Sequence, residues 1–270
     1  IPIAITLLLL WSCAIWIPGP TDIANSQSQQ KSTDREDHPG GSIDGTLPQL
    51  RAMIELYSAD RRNINRFYDA PMSPVSSQQS SDYLKHWQQV LSDLDFDSLE
   101  PEQKIDHLLF QNDLRYRLRA LQHQQLKEKQ IEEFVPFAST IIELQENRRK
   151  VIPVVGKQIA TVLTDLEKTV KQTRKSIELR LKEAEQDEVV FEKSVAHRAN
   201  RMVDRLQRTL SGWYRFYAGY DPLFTWWVEK PYNDLDKTLK DYSKFIRSKV
   251  VGVKEDDDPP IIGDPVGRDE

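Results

Sequence analysis

Cysteine is nearly absent from this chain: Cys13 is the only one in 270 residues, and it lies in an apolar stretch near the start. No intramolecular disulfide and no cysteine-based zinc site can therefore form in the body. Glycine is scarce at 10 residues, while Leu, Lys, Glu, Gln and Arg abound, a composition that favours helix over strand. No excess of positive charge exists either. Lys and Arg number 37 against 42 Asp and Glu, for a net charge of -5 and a pI near 5.7. That balance lacks the basic footprint of a nucleic-acid binder, and no nucleic-acid partner is expected. Long hydrophobic runs are missing after residue 17, which excludes a multi-span membrane protein.

Catalytic signatures are missing as well. The five histidines, His38, His86, His107, His123 and His197, include no pair four residues apart, so there is no H-E-x-x-H zinc helix. Gly156-Lys157 lacks the upstream glycine and the following Ser or Thr of a phosphate-binding loop, and no G-x-S-x-G nucleophile elbow occurs. Asp82 and His86 stand one helical turn apart and read as a solvated surface pair. Asp106 and His107 are adjacent, so they point to different helix faces and cannot act as one base with its orienting group. No catalytic residue, metal ligand or cofactor is assigned within the chain.

What the sequence does contain falls into three parts. Residues 1–24 read as a truncated signal peptide or membrane anchor: Ile1 to Ile17 is uncharged and broken only by Pro2, Thr6 and Ser12. No basic segment precedes it, and Asp22 spoils the small-residue pattern for cleavage after Ala24, so an uncleaved anchor stays open beside a signal peptide. Leu10-Trp11-Ser12-Cys13 loosely resembles a lipoprotein box. A secreted or cell-envelope location is expected, with membrane contact only through residues 1–17. Residues 25–45, rich in Ser, Gln, Asp and Gly, read as a disordered tether. Residues 46–270 read as a helical domain, and both chain ends read as cuts in a longer protein.

Helical periodicity holds from Thr46 onward. Leu50, Met53, Ile54, Tyr57 and Ile64 share one face before Asp69-Ala70-Pro71 ends the first helix. A second helix, starting near Ser80, carries Leu84, Trp87, Leu91 and Leu94. Pro101 opens a third, whose expected inward residues are Ile105, Leu108, Leu109, Leu114, Leu118 and Leu121. A short element spans Phe137 to Leu144. From Pro153 to about Glu185, Ile159, Leu163, Leu166, Val170, Ile177 and Leu181 follow near-heptad spacing. Ala196, Ala199, Val203, Leu206, Leu210 and Trp213 then stand at offsets 0, 3, 7, 10, 14 and 17. These two long helices are expected to pack antiparallel on one another. A last helix holds Leu235, Leu239, Tyr242 and Ile246. The fold class is all-α, with long antiparallel helices in a bundle behind the apolar leader and the tether.

One stretch is locally unusual. Trp213 to Trp227 holds half of the tryptophans around a Gly-Tyr-Asp-Pro corner. Aromatic walls with a few polar groups suit a substrate channel, which makes Tyr217, Tyr220, Asp221, Trp226 and Trp227 its candidates. The plainer reading is a helix-turn-helix corner plugged by large side chains.

Three segments carry a family resemblance: Asn65-Arg66-Phe67-Tyr68, Gln103 to Leu109 with Asn112-Asp113-Leu114, and Trp213 to Tyr232 continuing to Ile261–Asp269. Together they resemble the N-terminal part of a large bacterial and fungal family labelled domain of unknown function 885. The likeness spans about Thr46 to Glu270. It implies a helical, zinc-metallopeptidase-like protein of roughly twice this length, some of whose relatives carry peptidase names, X-Pro dipeptidyl-peptidase among them. Its zinc motif, a His-Glu and a His, would lie downstream of Glu270, so this portion alone would be inactive. Zinc and a peptide substrate would belong to the full-length protein, with Gly263-Asp264-Pro265 as the passage into the remainder. The alternative is an anchored, non-catalytic helical module that binds a partner protein through an exposed heptad seam.

Overall fold

The computed structural model describes residues 47–184 and 189–253. The leader and tether expected over residues 1–45, and the segment after Val253, lie outside the described residues. Among those residues there are seven α-helices and no strand: α1 (Leu47–Phe67), α2 (Pro74–Ser92), α3 (Pro101–Gln130), α4 (Ala138–Arg149), α5 (Gly156–Glu183), α6 (Lys193–Ala218) and α7 (Pro222–Phe245), the last continued by a π-helical turn at Ile246–Val251. The all-α bundle is as the periodicity requires.

Apolar side chains gather into two cores. The smaller is built by α1, α2 and the first half of α3 around Leu50, Tyr57, Leu84, Trp87, Leu91, Phe110 and Leu114. Its centre is aromatic: Tyr57 lies 4.9 Å from Phe110 and 5.8 Å from Trp87, ring centre to ring centre. The larger core belongs to α4–α7 and to residues 131–137 that lead into α4. Between the two runs the second half of α3, which contributes no buried residue.

The expected inward face of α3 is right at Leu114, which is wholly buried, and at Leu118, which packs partly buried on the smaller core, but wrong at its start. Ile105, Leu108 and Leu109 are 59%, 48% and 63% exposed, while Gln103, His107, Phe110 and Leu114 are buried. Apolar residues are spread around this helix, so periodicity leaves its rotation open. Two specific contacts decide it: Phe110 enters the Tyr57–Trp87 cluster, and His107 Nε2 meets the Leu91 carbonyl at 3.1 Å. The second helix also starts six residues earlier than Ser80. Ser73 caps it, its Oγ accepting from the Ser76 N–H at 3.0 Å, and Pro74 takes the first helical position.

The large bundle is ordered differently from a simple pair. All six residues of the α6 heptad stripe, Ala196 to Trp213, are at most 1% exposed, and Leu163, Leu166, Val170 and Ile177 of α5 are buried. Yet α5 and α6 do not pack directly along their length, because α7 lies between them. Thr238 of α7 meets Glu167 of α5, and Phe245 carries the Arg174 guanidinium, so α5 and α7 run parallel. Gln207 of α6 reaches Asp236, and Tyr214 stacks on Tyr232 at 3.8 Å, so α6 and α7 run antiparallel. The three axes go up, down and up, with α7 central. α5 enters tightly against α7: a Cβ on Gly156 would stand 3.2 Å from the Phe224 Cα, close enough that the neighbouring backbone would have to yield by a few tenths of an ångström. The seam offered to a partner in the alternative reading is thus the interior of this chain.

Truncating Leu206 to Ala removes a wholly buried side chain and is expected to cost about 2–5 kcal/mol. Ile105→Ser, on the exposed side of α3, is expected to change stability by less than about 0.5 kcal/mol. Urea unfolding of both variants checks this, and a larger loss at Ile105 would restore the α3 rotation that hydrophobic counting suggests.

Candidate functional site

α1 ends where Pro71 forbids its continuation, and the chain crosses to α2 through residues 68–73. Met72 adopts φ 59 there, a left-handed conformation that a non-glycine residue holds only under surrounding constraint. The constraint comes from α4. Asp69 accepts from Gln145 Nε2 at 2.7 Å and from both Nε and Nη2 of Arg149. Ser73 Oγ donates to Glu146 Oε1, and Ala70 enters the larger core. Burial alone would raise the Asp69 carboxyl, but the bonds from Arg149 and Gln145 and the charges of Arg149 and Arg148 outweigh it, so its pKa falls below the ordinary carboxylate value.

A cavity of about 330 Å³ opens beside this anchor, between the 68–73 turn, α4 and α6. Its cations are Arg148, Arg205 and Arg208, and its neutral polar groups are Gln145 and Thr209. The α6 arginines belong to a pattern: Arg198, Arg201, Arg205, Arg208, Gly212 and Arg215 repeat the offsets 0, 3, 7, 10, 14 and 17 of the buried stripe, two residues later and so on the outer side of the helix. Glycine at the fifth place removes a side chain where the cavity lies. Nothing stands within 4 Å of a Cβ built there, so no close approach requires the glycine. The acid that α6 itself carries in this region faces away, since Asp204 takes the Ser243 hydroxyl at 2.6 Å. Among the described residues, Arg205 and Arg208 have no carboxylate partner. Arg148 is held in place, its Nε donating to Gln145 Oε1 at 3.0 Å and its guanidinium lying 5.1 Å from the centre of the Phe216 ring.

Three guanidinium groups, an amide and a hydroxyl around one opening suit an oxyanion, because each guanidinium can offer paired N–H donors to a carboxylate or phosphate. The groove contains no histidine, and its one carboxylate, Asp69, is engaged by Arg149. Among the described residues no group of three or more His, Cys, Asp and Glu is placed to hold a metal ion, and no helix is long and apolar enough to cross a membrane. His107, adjacent to Asp106, uses Nε2–H toward the Leu91 carbonyl and is a structural residue of the smaller core.

The five aromatic-corner candidates come together at one end of the bundle, with different fates. Tyr217 is half-buried against Trp213 and Phe224, at 5.4 and 5.2 Å between ring centres, and burial raises its pKa against the opposing charge of Arg148. Trp227 is half-buried beside Gly156, with Lys157 Nζ 5.8 Å from its ring centre. Asp221 caps α7 by accepting from the Leu223 N–H at 2.9 Å. Tyr220 and Trp226 are 91% and 72% exposed. The plug itself is Trp213 and Phe224, each 1% exposed. The arginine groove is formed by other residues. Its trace in the sequence was the arginine stripe, which an inspection for apolar spacing passes over. Comparison with protein-family models, with curated proteins and with solved structures finds no match for this chain.

Asp69→Asn keeps the shape and removes the charge, and is expected to lower stability by about 1–2 kcal/mol at neutral pH. Because folding depresses the Asp69 pKa, its contribution is complete above the unfolded value of about 4 and is lost as pH falls below it. The gap between wild type and Asp69→Asn should therefore close in denaturation curves taken from neutral pH into that acid range, whereas a constant gap would show that the charge does not hold the turn.

Proposed function

We propose that this chain is a non-catalytic recognition module whose groove binds a carboxylate or phosphate group of a larger ligand. The observation that carries this reading is the convergence of Arg148, Arg205 and Arg208 on one cavity whose one carboxylate, Asp69, is paired with Arg149, so that the α6 pair has no salt-bridge partner among the described residues. Each unpaired guanidinium keeps its donors free for a ligand, and Arg148 is oriented in advance by Gln145 and Phe216. The alternative seam on α5 and α6 is buried, which moves recognition from the helix faces to this groove.

A second reading is supported by where two of the three family-like segments fall. Asn65–Tyr68 runs directly into Asp69, and Trp213–Tyr232 begins one residue after Gly212 and supplies Phe216 to Arg148. As the N-terminal part of a longer, exported zinc hydrolase, the chain would lend the groove to a peptide substrate as a carboxylate subsite, with zinc held elsewhere in the full-length protein. The apolar run Ile1 to Ile17 supports export or envelope anchoring in either case. A reading frame that continues past Glu270 into a His-Glu and His zinc motif supports this version, and a stop codon directly after Glu270 removes it.

Calorimetric titration of the chain with inorganic phosphate and with succinate tests the groove and separates the two anions. Arg205→Ala with Arg208→Ala is expected to weaken binding about ten-fold or more, since hydrogen bonds to charged groups are worth about 1.5–3 kcal/mol each. Gly212→Leu should block the opening while leaving the helix folded. Binding unaffected by all three substitutions contradicts the proposal.

A further inference from the structure

The end of the bundle opposite the α5–α6 connection is where α4 finishes, α5 begins, α6 finishes and α7 begins. It carries an unusual share of the large apolar side chains left in solvent. Val151, Ile152 and Val155 are 83%, 44% and 55% exposed on the segment into α5, and Phe216, Leu223 and Trp226 are 56%, 65% and 72% exposed across the α6–α7 corner, with Tyr220 at its tip. Contacts bring these segments together: Arg148 lies over Phe216, Gly156 abuts Phe224 and Trp227, and Trp226 meets Trp227 edge-on at 4.8 Å. Aliphatic, Trp and Tyr side chains concentrated at one end make a surface suited to the boundary between water and hydrocarbon.

Charge gives the occupant. Arg148, Lys150, Lys157 and Arg215 stand on the segments of this end, against Asp221, whose carboxylate accepts from the Leu223 N–H, Glu146, which accepts from Ser73, and Glu229 in the second turn of α7. In a chain with net charge -5, this is a local reversal of sign. We propose that this end of the bundle docks on an anionic lipid surface, with Tyr220, Leu223 and Trp226 entering the headgroup layer and the four cations meeting lipid phosphates and carboxylates. A protein partner would have to supply both an apolar socket and an acidic rim, whereas an anionic bilayer presents both by its composition. This places a membrane contact in the helical body, distinct from the apolar run at residues 1–17 and adjoining the anion groove, with which it shares Arg148.

The test uses the full chain with Cys13→Ser and a single new cysteine, Tyr220→Cys or Trp226→Cys, carrying an environment-sensitive fluorophore, and Gln122→Cys on exposed α3 as the control. Vesicles of phosphatidylcholine and phosphatidylserine in equal parts should shift the emission of the labels at 220 and 226 to the blue. Phosphatidylcholine alone should do so much less, and the label at 122 should not respond. Lys150→Glu with Lys157→Glu should lower the vesicle affinity of the response about thirty-fold or more, at about five-fold for each cation lost near such a surface. Three results overturn the proposal: vesicle sedimentation without a spectral change at 220 or 226, which assigns all binding to residues 1–17; labels already shielded before vesicles are added, which shows that another part of the chain or a second copy covers this end; or a response indifferent to charge reversal.

Discussion

Asp69 has to satisfy three requirements at once. It stands two residues past the end of α1, it holds a turn whose next residues include a left-handed Met72, and it accepts from Gln145 and Arg149 of a helix that belongs to the other core. The two cores are also joined by the Ser73–Glu146 bond, by Ala70 and by α3, whose second half contributes no fully buried residue. The placement of the smaller core against α4 therefore rests on the 68–73 turn, in which the Asp69 carboxylate is the charged anchor. The groove inherits the same dependence. Gln145 is oriented by Asp69 and in turn orients Arg148, so the anchor and the ligand-facing cation belong to one chain of hydrogen bonds.

The electrostatic arrangement follows from how α6 is used. One side of that helix is a run of small and large apolar residues buried in the core it shares with α4, α7 and the π-helical turn, and the side two residues further on is arginine at the same spacing. With Asp204 and Gln207 drawn toward α7 by Ser243 and Asp236, Arg205 and Arg208 on the outer side have no salt-bridge carboxylate among the described residues. Guanidinium groups left in this state cost little in water and are ready to exchange hydration for a ligand oxyanion. Burial on one side and charge on the other thus arise from the same helical repeat.

Much of the fold was legible because the decisive signal was periodicity. The stripe from Ala196 to Trp213 identified the helix and the buried face together, and Leu235, Leu239 and Tyr242 did so for α7. Periodicity fails where apolar residues surround the helix, as in α3, since rotation is then set by individual partners such as Phe110 and His107. It also cannot rank neighbours: α5 and α6 both carry heptads, yet each turns its stripe to α7, which follows them in the chain. The aromatic corner was half legible. Trp213 and Phe224 plug it, whereas Tyr220, in the connection between α6 and α7, and Trp226, two residues past Phe224 on α7, face solvent. The groove could not be seen from any single segment, for it needs a turn at 68–73, the end of α4 and the outer face of α6 to meet.

The most direct measurement of the central claim is the NMR spectrum of arginine Nε–Hε groups in the labelled chain, followed during titration with phosphate. The account predicts that the signals of Arg148, Arg205 and Arg208 move together and saturate at one affinity, while those of Arg198 and Arg215 on the same helix stay in place. Uniform, unsaturating drift of all arginine signals, or movement that spares Arg205 and Arg208, would contradict a built anion site in this groove.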